Sequence, residues 1–409
     1  MRAAGCALTA LLALARAHPA WSEDDAPPPS QARSPAPDTA QASAPVPVPD
    51  GAPGGTRQSG GGDPAVPQAA APRPRYFYLG LDYGSQSLFS PLWVFLNRGY
   101  DVLQDHVAGR NIFDQHYRVN TGNVLANLGH PFASISSLGW KTFLTQEIFP
   151  LSFGAHTARW APNYTLHLIG GGMTYRALNE WFQDRAVPAP QVFSAMTLMA
   201  AALVNESLEN KGIVGRNTDA LADIYVFDIA GMILFSFDAP NRFFSHQVVI
   251  SDWSLQPSFT FPHGLLHDQG NYFAAKWSLP FYPRLRLFSY FGEATTGGLS
   301  FRLDDEYSVS AAIGGAATHL RNQSTMQVEN VVSFTKTAVA FLDRRDSVLA
   351  SLQITDIQDY FITLNVYPHA VVQRGPAVGM WTVVDKQAHV AIGVSVSRLL
   401  GMGVGWSSL

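Results

Sequence analysis

Cysteine is nearly absent from this chain. The single one, Cys6, stands at the extreme N-terminus, which excludes a disulfide framework and a thiolate metal site. Charge is scarce as well. Only 14% of the 409 residues are charged, against about 25% in ordinary soluble domains. The net charge of −4 is small and no basic run or stripe occurs, so the electrostatic footprint of a nucleic-acid binder is missing. Long uninterrupted apolar runs are lacking too. The best stretch, 186–205, begins with Pro188 and Pro190 and leaves about 14 good apolar residues, short of the roughly 20 that a membrane span needs. Its helix therefore reads as buried, or as lying against a membrane or inside a barrel. Several chemical signatures are also missing: a Gly-x-Ser-x-Gly elbow, His-Glu-x-x-His, a phosphate-binding glycine loop followed by Lys, and Cys-x-x-Cys. Gly401-Met402-Gly403-Val404-Gly405 lacks the following helix that a dinucleotide site requires, and reads as strand.

What is present falls into blocks. Met1-Arg2, the apolar segment Ala3–Ala15 and the small-x-small triplet Ala15-Arg16-Ala17 read as a signal peptide over 1–17. Cys6 precedes most of that apolar segment and so does not fit a lipid anchor. Export combined with one cysteine points to a bacterial envelope. Residues 18–75 hold more than half of the chain's 27 prolines, with runs such as Pro45–Pro49 and Gly60–Gly62. They read as a disordered tether, with too little large apolar surface to offset chain entropy.

Tyr76–Tyr83 alternates like a strand, and 76–121 is a strand with a connecting segment. Residues 122–240 then form an apolar helical module. Asn123, Asn127, His130 and Ser134 fall near one face at about 100° per residue, and Pro131 interrupts that helix. Further helices fit Asn163–Asp184, Gln191–Asn210 and Asp219–Phe237. Gly170-Gly171-Gly172 lets another backbone approach closely. Over 245–409 the period changes to two, in segments such as Phe273–Leu279, Leu299–Leu303, Val348–Ile354, Ile362–Val366, Val390–Val396 and Leu400–Trp406. The expected fold class is α+β: an apolar helical module followed by an antiparallel β-barrel or barrel-like sheet of about eight to ten strands. A soluble sandwich with one wet face explains the alternation as well. An outer-membrane barrel with apolar residues toward lipid fits the low charge and aromatic strands better.

Chemistry, if any, rests on polar groups inside the apolar helices. The candidates are His130, His167, Glu206, Asp219 and Asp223. Glu206 and Glu209 are three apart, and Asp219 and Asp223 four apart, so each pair shares a helix face. Asp228, nine residues beyond Asp219, points the other way on a 3.6-residue period. Buried ionisable groups are costly unless paired, so His130 and His167 are expected to meet Glu206, Asp219 or Asp223. Such a cluster reads as a structural network tying helices together. It also suits a general acid–base site acting on a lipid or envelope substrate, or a metal site of two His plus carboxylates, for which no tight ligand spacing speaks.

Asn123–Pro131, Glu206, Asp219-Ala-Leu-Ala-Asp223 and Gly231 resemble an uncharacterised family of bacterial envelope proteins with an Asn…His-Pro…Glu…Asp-x-x-x-Asp…Gly helical pattern. More distantly, His167-x-x-Gly-Gly with Asp219, Asp223 and Gly231 is similar to VanZ-like families. These carry an Asn four residues after the second Asp, where this chain has Phe227. The resemblance covers roughly 120–235 and implies location and architecture rather than a reaction or a cofactor. The function expected is that of an exported envelope protein, with membrane or lipid as partner and a structural or envelope-maintenance role. An envelope enzyme and an outer-membrane transport or channel protein are the alternatives.

Overall fold

In the computed structural model, which describes residues 74–105, 111–151, 160–210, 214–322, 330–371, 377–397 and 401–409, the C-terminal part folds as one sheet of thirteen strands. They are β1 (Ile250–Asp252), β2 (Ser258–Phe261), β3 (Leu265–His267), β4 (Phe273–Leu279), β5 (Tyr282–Phe291), β6 (Ala294–Arg302), β7 (Tyr307–Asn322), β8 (Asn330–Arg344), β9 (Ser347–Thr355), β10 (Ile362–Val366), β11 (Val378–Val384), β12 (Val390–Val396) and β13 (Gly403–Ser407). From β4 to β13 each strand pairs antiparallel with the next. The meander's two ends meet the same stretch of chain. Residues 250–261 supply β1, which pairs with β4, and β2, which pairs in parallel with β13. The sheet's terminal strands, β1 and β3, do not pair with each other. The expected barrel of eight to ten strands is therefore corrected to a thirteen-stranded, mostly antiparallel sheet that does not close.

The alternation has a definite sense. Direct pairing links Trp277, Leu287, Leu299, Ala311, Ala340, Leu352, Leu364, Thr382, Ile392, Trp406 and Phe261 into one row across eleven strands. Trp277, Leu287, Leu299, Ile392 and Trp406 each expose about half of their surface. The adjacent row runs Arg286, Ser300, Ser310, Phe341, Ser351, Asn365, Trp381, Gly393, Gly405 and Thr260. Its polar members Arg286, Ser300, Ser310, Ser351, Asn365 and Thr260 are buried. One face thus carries apolar side chains outward and the other gathers polar ones inward, the reverse of a water-soluble sheet. Large rings fill the inner side. Trp381 lies where a Cβ on Gly393 would come within 2.5 Å of its ring, so the glycine is what admits it.

The 253–256 crossing is polar and fully paired. Gln256 Nε2 donates to Asn365 Oδ1 (2.8 Å), Asn365 Nδ2 to Asp268 Oδ1 (3.1 Å), and the Gln256 N–H to Asp268 Oδ2 (3.1 Å). Tyr367 donates its hydroxyl to the Ser254 carbonyl at 2.9 Å.

The helices follow the sequence closely. Tyr117–Gly129 and Pro131–Leu138 are separated at His130, where the proline breaks the run. The Asn127 carbonyl is rescued by a short-range bond from the His130 N–H at 3.1 Å. Asn163–Gly171 is wound as a π-helix and continues into the α-helix Gly172–Asp184. Pro190–Glu209 is α-helical, and a π-helix over Leu221–Asp228 leads into Ile229–Leu234. Gly231 and Gly172 form the crossing of these two composite helices. A Cβ on Gly231 would sit 2.6 Å from the Leu168 carbonyl oxygen and 3.1 Å from the Gly172 nitrogen.

Two expectations need correction. Tyr76–Tyr83 is not a strand. The N–H groups of Tyr76, Phe77 and Tyr78 all donate to the buried carboxylate of Glu180, at 2.8–2.9 Å. A single side chain thus takes the donors that a neighbouring strand would need, and all three residues are buried instead of alternating. Residues 85–120 contain a helix, Pro91–Tyr100, capped by the Ser90 hydroxyl on the Trp93 N–H. From Arg75 onward the described helices and strands fall in one compact unit. Trp93, Met173, Leu178 and Phe235 share a core with Trp253, Tyr272, Tyr290 and Phe341. The expected signal peptide and all of the expected tether except Pro74 and Arg75 lie outside the described residues. Among the described residues no helix is long and apolar enough to cross a membrane.

Candidate functional site

The two π-helices bring the chemistry together. A π turn closes i→i+5 instead of i→i+4, so Asp223 and Asp228, five apart, lie one turn apart on the side facing His167. His167, on the opposing π-helix, approaches both. Its Nδ1 lies 3.2 Å from Asp228 Oδ1 and its Nε2 3.6 Å from Asp223 Oδ2. Arg98, from the Pro91–Tyr100 helix, donates to Asp228 Oδ1 at 2.7 Å. Its side chain is 5% exposed and that of Asp228 0%. Asp228 Oδ1 accepts from the guanidinium, and Arg98 Nη2 also stands 3.4 Å from His167 Nδ1. With the imidazole proton placed on Nδ1, that nitrogen donates to Asp228 Oδ1. That assignment leaves His167 Nε2 with its lone pair toward Asp223.

Glu206 completes the group from Pro190–Glu209. One donor atom from each of His167, Glu206 and Asp223 lies within 4.8 Å of the others. Glu206 is 1% exposed and Asp223 5%. Burial pushes the Glu206 carboxyl well above the usual range, and the charges of Glu209 and Asp219 push it further, while a hydrogen bond with Asp223 works the other way. Burial likewise raises Asp223, followed by repulsion from Asp219 and Glu206. Glu206 Oε2, Asp223 Oδ1 and Asp228 Oδ2 are buried without a hydrogen-bond partner. Native proteins leave few such atoms.

Of the five residues singled out from sequence, the fold brings together His167, Glu206 and Asp223. Asp219 stands at the edge, half-buried, acting on both acids through its charge. His130 is not in the group. It lies exposed at the break between two helices, with Nδ1 3.0 Å from the Ala126 carbonyl. Solvated there, it has no burial penalty to relieve, which is why the expected meeting fails for it. Its presumed face-mates Asn123 and Asn127 are buried and structural. Asn123 bonds Asn210 and the Gly215 N–H, and Asn127 bonds the Gly215 carbonyl, the Asn217 N–H and Ser134. They lash the 214–217 loop in place ahead of Asp219 and Asp223.

Sequence reasoning missed Arg98 and Asp228. An α-helical period places Asp228 on the far side, and the π-helix over Leu221–Asp228 does not keep that period. For Arg98, the Ser90-Pro91 pair, a cap followed by a first-turn proline, was the available signal for its helix. The group can exchange protons between a buried imidazole and carboxyls, or hold a cation. Compared with known proteins, the chain matches no family model, no curated protein and no solved structure.

Proposed function

We propose that this chain is a bacterial envelope protein embedded in the outer membrane by its sheet, with a structural or lipid- and envelope-maintenance role. The exposed apolar row from Trp277 to Phe261, set beside a buried polar row, carries this reading. In water such a surface would be an aggregation liability, whereas against lipid it is the stable arrangement. The helices extend the same surface. Phe243, itself exposed, packs against Trp277 with ring centroids 6.3 Å apart.

Single thiols test it in a Cys6→Ser background. Leu299→Cys and Ile392→Cys are expected to resist a water-soluble maleimide in native membranes and to react after denaturation. Asp305→Cys, in an exposed turn, is expected to react in both. Equal labelling of all three in membranes, or recovery of the chain with soluble proteins, overturns the reading.

An open channel fits less well. Trp253, Tyr272, Tyr290, Phe341, Tyr367 and Trp381 are buried on the inner side, and a cavity lined by Gln104, Asp268, Tyr272 and Glu293 has a volume of about 20 Å³, room for roughly one water. An envelope enzyme remains the second reading, favoured by the pairing of His167 with buried acids. It requires that His167→Ala accumulate and insert normally while an envelope phenotype is lost.

A further inference from the structure

We propose that His167 Nε2, Glu206 and Asp223 form a binding site for one divalent first-row transition-metal ion of the zinc or manganese type, with Asp228 as the residue that positions the imidazole.

Four observations converge. First, the donor set is one imidazole nitrogen and two carboxylates from three different helical segments, all within 4.8 Å of one another. Bonds of about 2.0–2.2 Å in a tetrahedral site put ligand atoms about 3.4 Å apart. The His167–Asp223 separation of 3.6 Å already fits, and closing the rest takes about 1 Å of side-chain movement. Second, Glu206 Oε2 and Asp223 Oδ1 have no hydrogen-bond partner although both side chains are more than nine-tenths buried. Third, His167 Nδ1 lies 3.2 Å from Asp228 Oδ1, which Arg98 holds in turn. A carboxylate behind a histidine, fixing its tautomer and turning the other nitrogen outward, is the usual support of a metal-bound imidazole. A structural network would need none of that orientation. Fourth, Arg98 is spent on Asp228 and on the Nδ1 edge of His167, so among the described residues no ion pair with a guanidinium or ammonium reaches Glu206 or Asp223. The ring nitrogen argues against a purely oxygen-ligated magnesium or calcium ion, and the lack of thiolates argues against a soft metal. The His167 side chain is 15% exposed, so the ring reaches solvent while both acids are buried.

This inference does not depend on where the sheet sits, because the assay is done in detergent on the full-length chain. After chelation and dialysis against Zn2+ or Mn2+, elemental analysis should find one ion per wild-type chain, and Zn2+ should raise the thermal midpoint. The double substitution Glu206→Gln with Asp223→Asn keeps shape and removes the charge. It should abolish both effects. Asp228→Asn should weaken binding about 10- to 100-fold, and His130→Ala should change nothing. Should the double variant fail to accumulate, Co2+ decides. The wild type should show visible absorption typical of nitrogen and oxygen ligation at low coordination number, absent in His167→Ala. Undiminished binding in the double variant, a Co2+ spectrum unchanged by His167→Ala, or no bound ion in the wild type after any of the three metals overturns the proposal.

Discussion

Among the described residues, the buried charge cluster of the sheet and that of the helices are built on different terms. In the sheet, Lys276, 1% exposed, donates to Asp343 Oδ2 at 2.7 Å and to Asp346 Oδ1 at 2.8 Å. Arg286 stands 3.8 Å from Asp346 and donates to Ser308, and Trp253 lies under the ammonium with its ring centre 4.8 Å away. Two cations face two carboxylates. In the helices, the guanidinium of Arg98 faces Asp228, and Glu206 and Asp223 meet each other and the imidazole of His167. The first cluster is balanced in charge and locks three strands and a turn, although Asp343 Oδ1 and Arg286 Nε make no hydrogen bond. In the second, Arg98 is spent on Asp228, and no ion pair with a guanidinium or ammonium reaches Glu206 or Asp223 among the described residues. The contrast separates a polar network that holds the fold from one that holds something else.

The largest effect should come from breaking the balanced cluster. Lys276→Met removes the cation and leaves Asp343 buried against apolar neighbours, at a cost of about 3–5 kcal/mol. Denaturant unfolding in detergent would show it, and an unchanged midpoint would mean that the sheet's charges are dispensable.

A smaller effect follows from pH. Burial raises Asp268 to about 7, against the lowering pull of Asn365 and the Gln256 N–H. Burial also raises Asp252 to about 6, and Asp343 to about 6 despite Lys276. A carboxyl whose folded value lies above its unfolded value of 3.8 stabilises the fold most when protonated. Its contribution is full below about pH 4 and lost as pH rises through the folded value. Between pH 5 and pH 8 Asp268 alone should therefore weaken the fold by about 2–3 kcal/mol, with Asp252 and Asp343 adding to it in the same direction. A chelated sample of the Glu206→Gln, Asp223→Asn double variant removes the contribution of those two acids; Asp101, which burial also raises, acts in the same direction. Stability that climbs over that interval would refute the assignment.

What was legible in the sequence divides along the same boundary. The sheet was readable because period-two alternation is local. Phe273–Leu279, Ile362–Val366 and Val390–Val396 coincide with β4, β10 and β12. Closure was not readable, because it depends on where 250–261 crosses, and nothing in those residues names β4 and β13 as neighbours. Helix positions were readable from spacing and from Pro131. The π character of Asn163–Gly171 and Leu221–Asp228 was hidden, because the hydrogen-bond register of a helix leaves no reliable mark on composition. That one unread feature put Asp228 on the wrong side. The rule that buried ionisable groups must meet found His167, Glu206 and Asp223, and failed for His130, whose burial the rule had to assume.

The helical cluster can be relieved of strain directly. With metal removed, and at a pH high enough to ionise Glu206 against the burial that raises it, Glu206→Gln replaces a buried carboxylate lacking one partner by a neutral amide of the same shape. It should stabilise the chain by about 1–3 kcal/mol, opposite in sign to Lys276→Met. The same substitution in the presence of Zn2+ should lose that advantage, because the wild type then gains the ion. A loss of stability in chelator would place Glu206 among the structural charges, alongside Asp343, and erase the distinction between the two clusters.

The smallest effect belongs to His130→Ala. Sequence alone makes His130 the equal of His167, since both are imidazoles in the apolar helical stretch, and His130 shares a helix face with Asn127. In the fold its ring is exposed and bonds the Ala126 carbonyl within its own turn. The break it occupies is set by Pro131, and the network beneath it runs through Asn123, Asn127 and Ser134. Replacing a solvated side chain away from that network should change stability by no more than about 0.5 kcal/mol and leave metal uptake intact. His167→Ala should abolish that uptake, so the two imidazoles, alike in sequence, separate by burial alone. A His130→Ala chain that unfolds early or loses the ion would place the ring inside a cluster that the fold keeps it out of.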